Sequence, residues 1–190
     1  TGSAPGAAGN RAAVLGAWIQ TVTDIATQQS TATVSGALLS PSADPTPVTI
    51  GSARVGAAGV AVASDGGDFL VAWTSPTADG GSLVEVRASR YRAGTGPLDP
   101  DGGLVVAAGP GVKSLGGAAF DGAAYLVVWE ENGSVRGARV ATDGTSEAPF
   151  TSDAGPAGTP AVACEAGCLT VFVRPAGDAG DVVARRVDAE

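Results

Sequence analysis

The side chains able to do chemistry are few in kind: three tryptophans, two cysteines, eleven cations and nineteen acids, with no histidine. Without an imidazole, His-dependent nucleophilic catalysis and most zinc sites lack their base or ligand. Trp18, Trp73 and Trp129 could form a stacking platform for sugar rings. They close equivalent apolar runs, however, and Phe172 closes a fourth. That placement predicts packing between layers, where aromatics contribute most. Asp65 and Asp121 each precede a glycine, as does Asp143. A carboxylate there accepts local backbone N–H bonds. Calcium is the alternative, and Leu98-Asp99-Pro100-Asp101-Gly102 is its best candidate, although it lacks the regular acid spacing and distal Glu of an EF-hand.

Arg90, Arg139 and Arg186 occupy matching places. They suit an anion in a central channel, but in so acidic a chain they are expected to form salt bridges or a solvated face. Cys164 and Cys168 stand four apart. Two thiols alone make a poor metal site, so a local disulfide is expected, and with it an oxidising compartment. Glycoside hydrolysis needs two carboxyls close in space. The acids fall mostly in turn-like stretches such as Glu130-Glu131-Asn132-Gly133. No nucleophile elbow, phosphate loop or dinucleotide fingerprint is present in a strand-to-helix context. These residues predict no catalytic centre, no cofactor and no metal.

A formal net charge of −8 disfavours phosphate backbones and anionic lipid, so neither nucleic acid nor membrane insertion is expected. No window approaches the ~20 apolar residues of a spanning helix. With 44% hydrophobic and 16% charged residues over 190 positions, the chain has the composition of a folded core rather than of disorder. Position 1 is Thr, so the chain is expected to begin at a cleavage or a cut boundary. Arg11 to Val22 imitates a signal peptide, one cation before an apolar run. The repeat register argues instead that it is a strand.

The elements that must position these side chains recur along the chain. Val60 to Trp73, with Asp65-Gly66 at its centre, matches Gly117 to Trp129 with Asp121-Gly122; eight residues separate Asp from Trp in both. A third copy runs from Ala161 through the cysteines to Phe172, and a weaker one opens with Ala13 to Trp18. Val34, Val86, Val135 and Val182 mark the following strand at spacings of 52, 49 and 47. A period near fifty suits four-stranded propeller blades. Each copy supplies a short first strand, a turn in which Gly accepts positive φ, an apolar second strand covered on both faces, and an alternating third. Fourth strands are expected at Pro47 to Ile50, Leu104 to Ala107 and Ala148 to Thr151. In Val14, Trp18, Val22 and Ile25 the spacing also fits an amphipathic helix. The alignment of Trp18 with Trp73 and Trp129 favours a strand.

These repeats resemble those of secreted bacterial β-propeller proteins, whose blades read approximately Pro-x-Val-Ala-x-Asp-Gly-x-x-Tyr-Leu-Val-Val-Trp, then Gly-Ala-Arg-Val, then Asp-Gly. Phe120 to Gly144 matches this closely, including Tyr125, Trp129, Gly137-Ala138-Arg139-Val140 and Asp143-Gly144. The resemblance covers most of 50–190 and only loosely 10–50. It implies an extracellular setting and a binding or scaffolding role, and passes on no catalytic residue. The expectation is an all-β chain of about four propeller blades at 10–50, 51–108, 109–152 and 153–190, after a flexible segment at 1–9. The terminal blades are expected to be incomplete; a compact four-blade ring and part of a larger ring are the two arrangements that follow, the second preferred. The function expected is a non-catalytic, secreted or cell-surface module binding a protein or glycan, further blades of its precursor, or another subunit. A polysaccharide-active propeller enzyme and a purely structural surface subunit are the alternatives.

Overall fold

Apolar residues that repeat every second or every successive position, broken by glycine-centred turns, give this chain strands throughout. In a computed structural model, residues 5–41, 43–78, 83–165, 167–176 and 179–187 are described, and among them there is no helix. They form four antiparallel sheets. The first is β1 (Gly6–Gly9), β2 (Val14–Thr23), β3 (Ser30–Ser40) and β4 (Ala43–Ala53), paired in that order. The second is β5 (Ala58–Ser64), β6 (Phe69–Pro76), β7 (Val84–Arg92), the two-residue β8 (Gly96–Pro97) and β9 (Leu104–Ala107), the last two both pairing with β7. The third is β10 (Lys113–Phe120), β11 (Ala124–Glu131), β12 (Ser134–Ala141) and β13 (Phe150–Asp153). The fourth has three strands, β14 (Ala161–Cys164), β15 (Cys168–Ala176) and β16 (Ala179–Val187).

The register agrees with the repeat. Each closing aromatic stands opposite the residue that follows its marker valine: Trp18 opposite Ser35, Trp73 opposite Arg87, Trp129 opposite Arg136 and Phe172 opposite Val183. The ambiguous segment is therefore the strand β2. The turns follow their chemistry as well. Gly66 and Gly122 have φ of +96° and +100°, values an L side chain resists. The preceding Asp65 and Asp121 each accept two backbone N–H bonds, from Gly67 and Asp68 and from Ala123 and Ala124.

Sheets pack in chain order through their first strands: β1 and β2 against β5, β5 against β10, and β10 against β14. Backbones touch closely there. A Cβ on Gly6 would lie 2.7 Å from the Val60 oxygen, and one on Gly116 only 2.1 Å from the Pro160 oxygen. Between the sheets lie three apolar clusters. Leu15, Ala17 and Ile19 meet Phe69, Val71 and Trp73. On the other face of β6, Leu70 and Ala72 meet Tyr125, Val127 and Trp129. Leu126 and Val128 then meet Cys168 and Val162. Successive residues of β6 and β11 thus serve opposite neighbours, which is why both strands are apolar without a break. Each fully buried large side chain of this kind contributes roughly 1.5–3 kcal/mol.

Four expectations need correction. Gly6–Gly9 is the paired strand β1, not part of a flexible segment; residues 1–4 lie outside the described residues. The first sheet is consequently a four-stranded blade spanning Gly6 to Ala53, and among the described residues the last has three strands. Its fourth strand is also longer than expected, reaching from Ala43 to Ala53, while that of the third sheet begins at Phe150 rather than Ala148.

Candidate functional site

Asp and Glu side chains within strands or turns can either face one another across a cleft or be used up locally. Here most are used up. Arg90 grips Asp99 in the connection between β7 and β9, at 2.6 Å from Nη2 to Oδ1, and its own N–H donates to Asp99 Oδ2. Arg139 pairs with Asp121. The exposed Arg92 forks onto Asp68. Asp153 on β13 receives Arg174 from β15 at 2.5 Å and Arg185 from β16 at 3.1 Å, joining the third sheet to the fourth. The N–H of Gly155, with these two guanidiniums, holds the Asp153 carboxyl below its ordinary value against the opposing effect of burial. At Asp65 burial alone would raise the pKa, but N–H bonds from Gly67 and Asp68 outweigh it and the carboxyl is lowered. The Tyr125 phenol is pushed up, first by burial and then by the Asp65 carboxylate.

The calcium candidate is dispersed in the same way. Asp99 belongs to Arg90, whereas Asp101 accepts the Ser52 N–H at 2.8 Å and so ties the second sheet to the first. Among the described residues no three His, Cys, Asp or Glu side chains gather as a ligand set. Cys164 and Cys168 form a disulfide across the turn between β14 and β15. Lys113, the sole lysine, is enclosed: its ammonium donates to the Gly109 carbonyl at 3.0 Å and lies 3.3 Å from Glu131.

The three matching arginines do not behave alike. Arg90 and Arg139 side chains are only 13% and 11% exposed and each meets an acid. Arg186 is exposed and has no ion-pair partner among the described residues. The aromatics divide similarly. Trp73, Trp129 and Phe172 are buried between sheets, but Trp18 is half-buried because its side of β2 faces away from the second sheet.

Two clefts open between sheets. One of about 330 Å³, between the first and second, is lined by Ser52, Arg54, Ser75, Arg87 and Asp101. The other, about 610 Å³ between the third and fourth, is lined by Arg139, Glu147, Phe150, Ser152, Arg185 and Arg186. Among the described residues each wall carries one carboxylate, Asp101 in the first and Glu147 in the second, beside cations, an arrangement able to hold an anionic or hydroxylated group.

The other prominent surfaces are the outer faces of the terminal sheets. On the first, Val14, Val22 and Leu39 are exposed around Trp18. On the fourth, Leu169, Val173 and Val182 are exposed. Val182 is 74% exposed, whereas its counterparts Val34, Val86 and Val135 are each 0%. Sequence reading found the repeats but not this division, since a strand's pattern does not reveal whether a neighbour covers it.

No protein-family model matches the sequence, and no curated protein is similar to it. Solved structures with the same arrangement exist. The β-propeller domain of the Trilobed protease from Pyrococcus furiosus, described as having an open velcro topology, superposes with a TM-score of 0.53 at 9% identity, over 100% of this chain and 57% of that one. An exo-β-1,3-galactanase from Phanerochaete chrysosporium, solved with β-1,3-galactotriose, gives 0.51 at 12% identity over 95% of this chain and 46% of that one. The chain therefore has a propeller-type all-β fold and spans about half the length of these propeller-containing chains.

Proposed function

We propose that this chain is a non-catalytic propeller module that acts outside the cell or at its surface, binding a protein or glycan through its clefts and uncovered blade faces. The observation that carries this reading is the disposition of the acids. Among the described residues each wide cleft has one carboxylate in its wall, and the carboxylates of Asp99, Asp121 and Asp153 are held by arginines. The Cys164–Cys168 disulfide supports an oxidising compartment. Exposed apolar area at both ends supports association with another polypeptide.

A second reading, a polysaccharide-active enzyme, is favoured by one observation, the shared fold of the galactanase. Incubating the protein with a panel of neutral and acidic glycans separates the two. Retention on immobilised glycan or on a partner protein, with no released sugar, is expected. Time-dependent product release that is lost on Glu147→Gln or Asp101→Asn overturns the non-catalytic reading.

A further inference from the structure

Among the described residues β16 is the outermost strand of the fourth sheet and has no partner on its far side, and the other three sheets specify what fits there. In each of them the third and fourth strands pair with the same slip. Opposite Val34, Val86 and Val135 stand Gly51, Ala107 and Asp153. Opposite the next residue, Ser35, Arg87 and Arg136, stand Thr49, Val105 and Thr151. Opposite the one after, Gly36, Ala88 and Gly137, stand Val48, Leu104 and Phe150. One residue of each fourth strand, Ile50, Val106 or Ser152, is left over as a bulge. In β16 the corresponding run is Val182-Val183-Ala184, and the sheet order stops there.

We propose that the β16 edge takes a fourth strand of this type, a polypeptide segment of the same design as β4, β9 and β13. It runs antiparallel, bulges between the partners of Val182 and Val183, and carries leucine opposite Ala184. The choice of leucine follows from steric fit. The tip of the Phe150 ring lies against Gly137, where a Cβ would come 2.8 Å from Cζ, so phenylalanine at this place requires glycine opposite it. Ala88 has a Cβ and is matched by Leu104. Ala184 has one too, and takes the Ala88 solution. The segment leading into the strand supplies an acid to Arg186, which stands as far beyond Val182 as Arg90 does beyond Val86, and Arg90 is gripped by Asp99 from that same connection. An unpaired edge with an exposed row of N–H and C=O groups is otherwise a template for aggregation.

The inference rests on the repeat and not on the binding role proposed above, so the two fail separately. A tail copying Ala93 to Ala107 is joined after Asp188, which lies six residues beyond Val182 as Arg92 lies six beyond Val86. Amide hydrogen exchange of β16 and thermal melting are the readouts. The leucine tail is expected to slow β16 exchange about tenfold or more and to raise the melting temperature by about 2–4 °C. A tail with phenylalanine at the place of Leu104 is expected to lose this effect in the native protein and regain it with Ala184→Gly. Unchanged exchange with the leucine tail overturns the proposal. So does equal protection from a tail with aspartate at that place, or a phenylalanine tail indifferent to Ala184→Gly.

Discussion

The inner and outer sheets are built from the same repeat yet live in different surroundings. In β6 and β11 both faces are buried, and Trp73 and Trp129 have no exposed surface. In β2 and β15 burial alternates with exposure, and Trp18 on β2 lies half open. The difference teaches that the second-strand motif is written for a two-sided environment, and that the terminal sheets have it on one side. A repeat array gains stability from each interface its units share with a neighbour, and terminal units share only one. The ion pairs obey the same division: Arg90 and Arg139 are enclosed with acids, and Arg186 stands in solvent.

Substitutions at equivalent places test that contrast. Trp129→Ala is expected to cost about 3–5 kcal/mol in urea unfolding, as a large core truncation, and Trp18→Ala about 1–2 kcal/mol, since part of its surface is already wet. Equal losses at the two places would erase the distinction. Arg139→Met leaves the Asp121 carboxylate, 5% exposed, without its counter-ion and is expected to cost about 3 kcal/mol, against about 0.5 kcal/mol or less for Arg186→Met. Replacing Cys164 and Cys168 by serine opens a very short loop and is expected to cost about 2 kcal/mol, measured against the oxidised protein. The smallest effect concerns pH. Asp153 titrates below its ordinary 3.8 when folded, so its contribution is present above about pH 4 and fades as the pH falls through the folded value. Asp153→Asn is expected to lower stability at neutral pH and to flatten the acid limb of a melting-temperature profile. An acid limb identical to that of the native protein would discount the Arg174 and Arg185 tethers.

How much could be read beforehand depended on where side chains carried the signal. The valines and closing aromatics gave the register of all four sheets, because a second strand pressed between layers must be apolar and must end where its turn begins. The Asp-Gly turns were equally plain. Strand β1, Gly-Ala-Ala-Gly, was not, since its small residues are there to let backbones approach and carry no pattern. The two-residue β8 is set by pairing with β7 and has no pattern of its own. Ion-pair partners were invisible for another reason. Asp99 and Asp121 lie nine and eighteen residues from the arginines they hold, on different sides of them, so only the folded sheet selects between them. Which residues line the clefts is likewise a property of how sheets splay and not of any local motif.

The enclosure of Lys113 has a practical consequence. Its ammonium has no exposed surface and is held by the carbonyls of Gly109 and Gly111 and by Glu131. Amine-directed dyes, cross-linkers and surface couplings therefore find no reachable lysine among these 190 residues until the sheet containing β10 has come apart, and the rate at which such a reagent modifies that one side chain becomes a clock for the opening of the third blade.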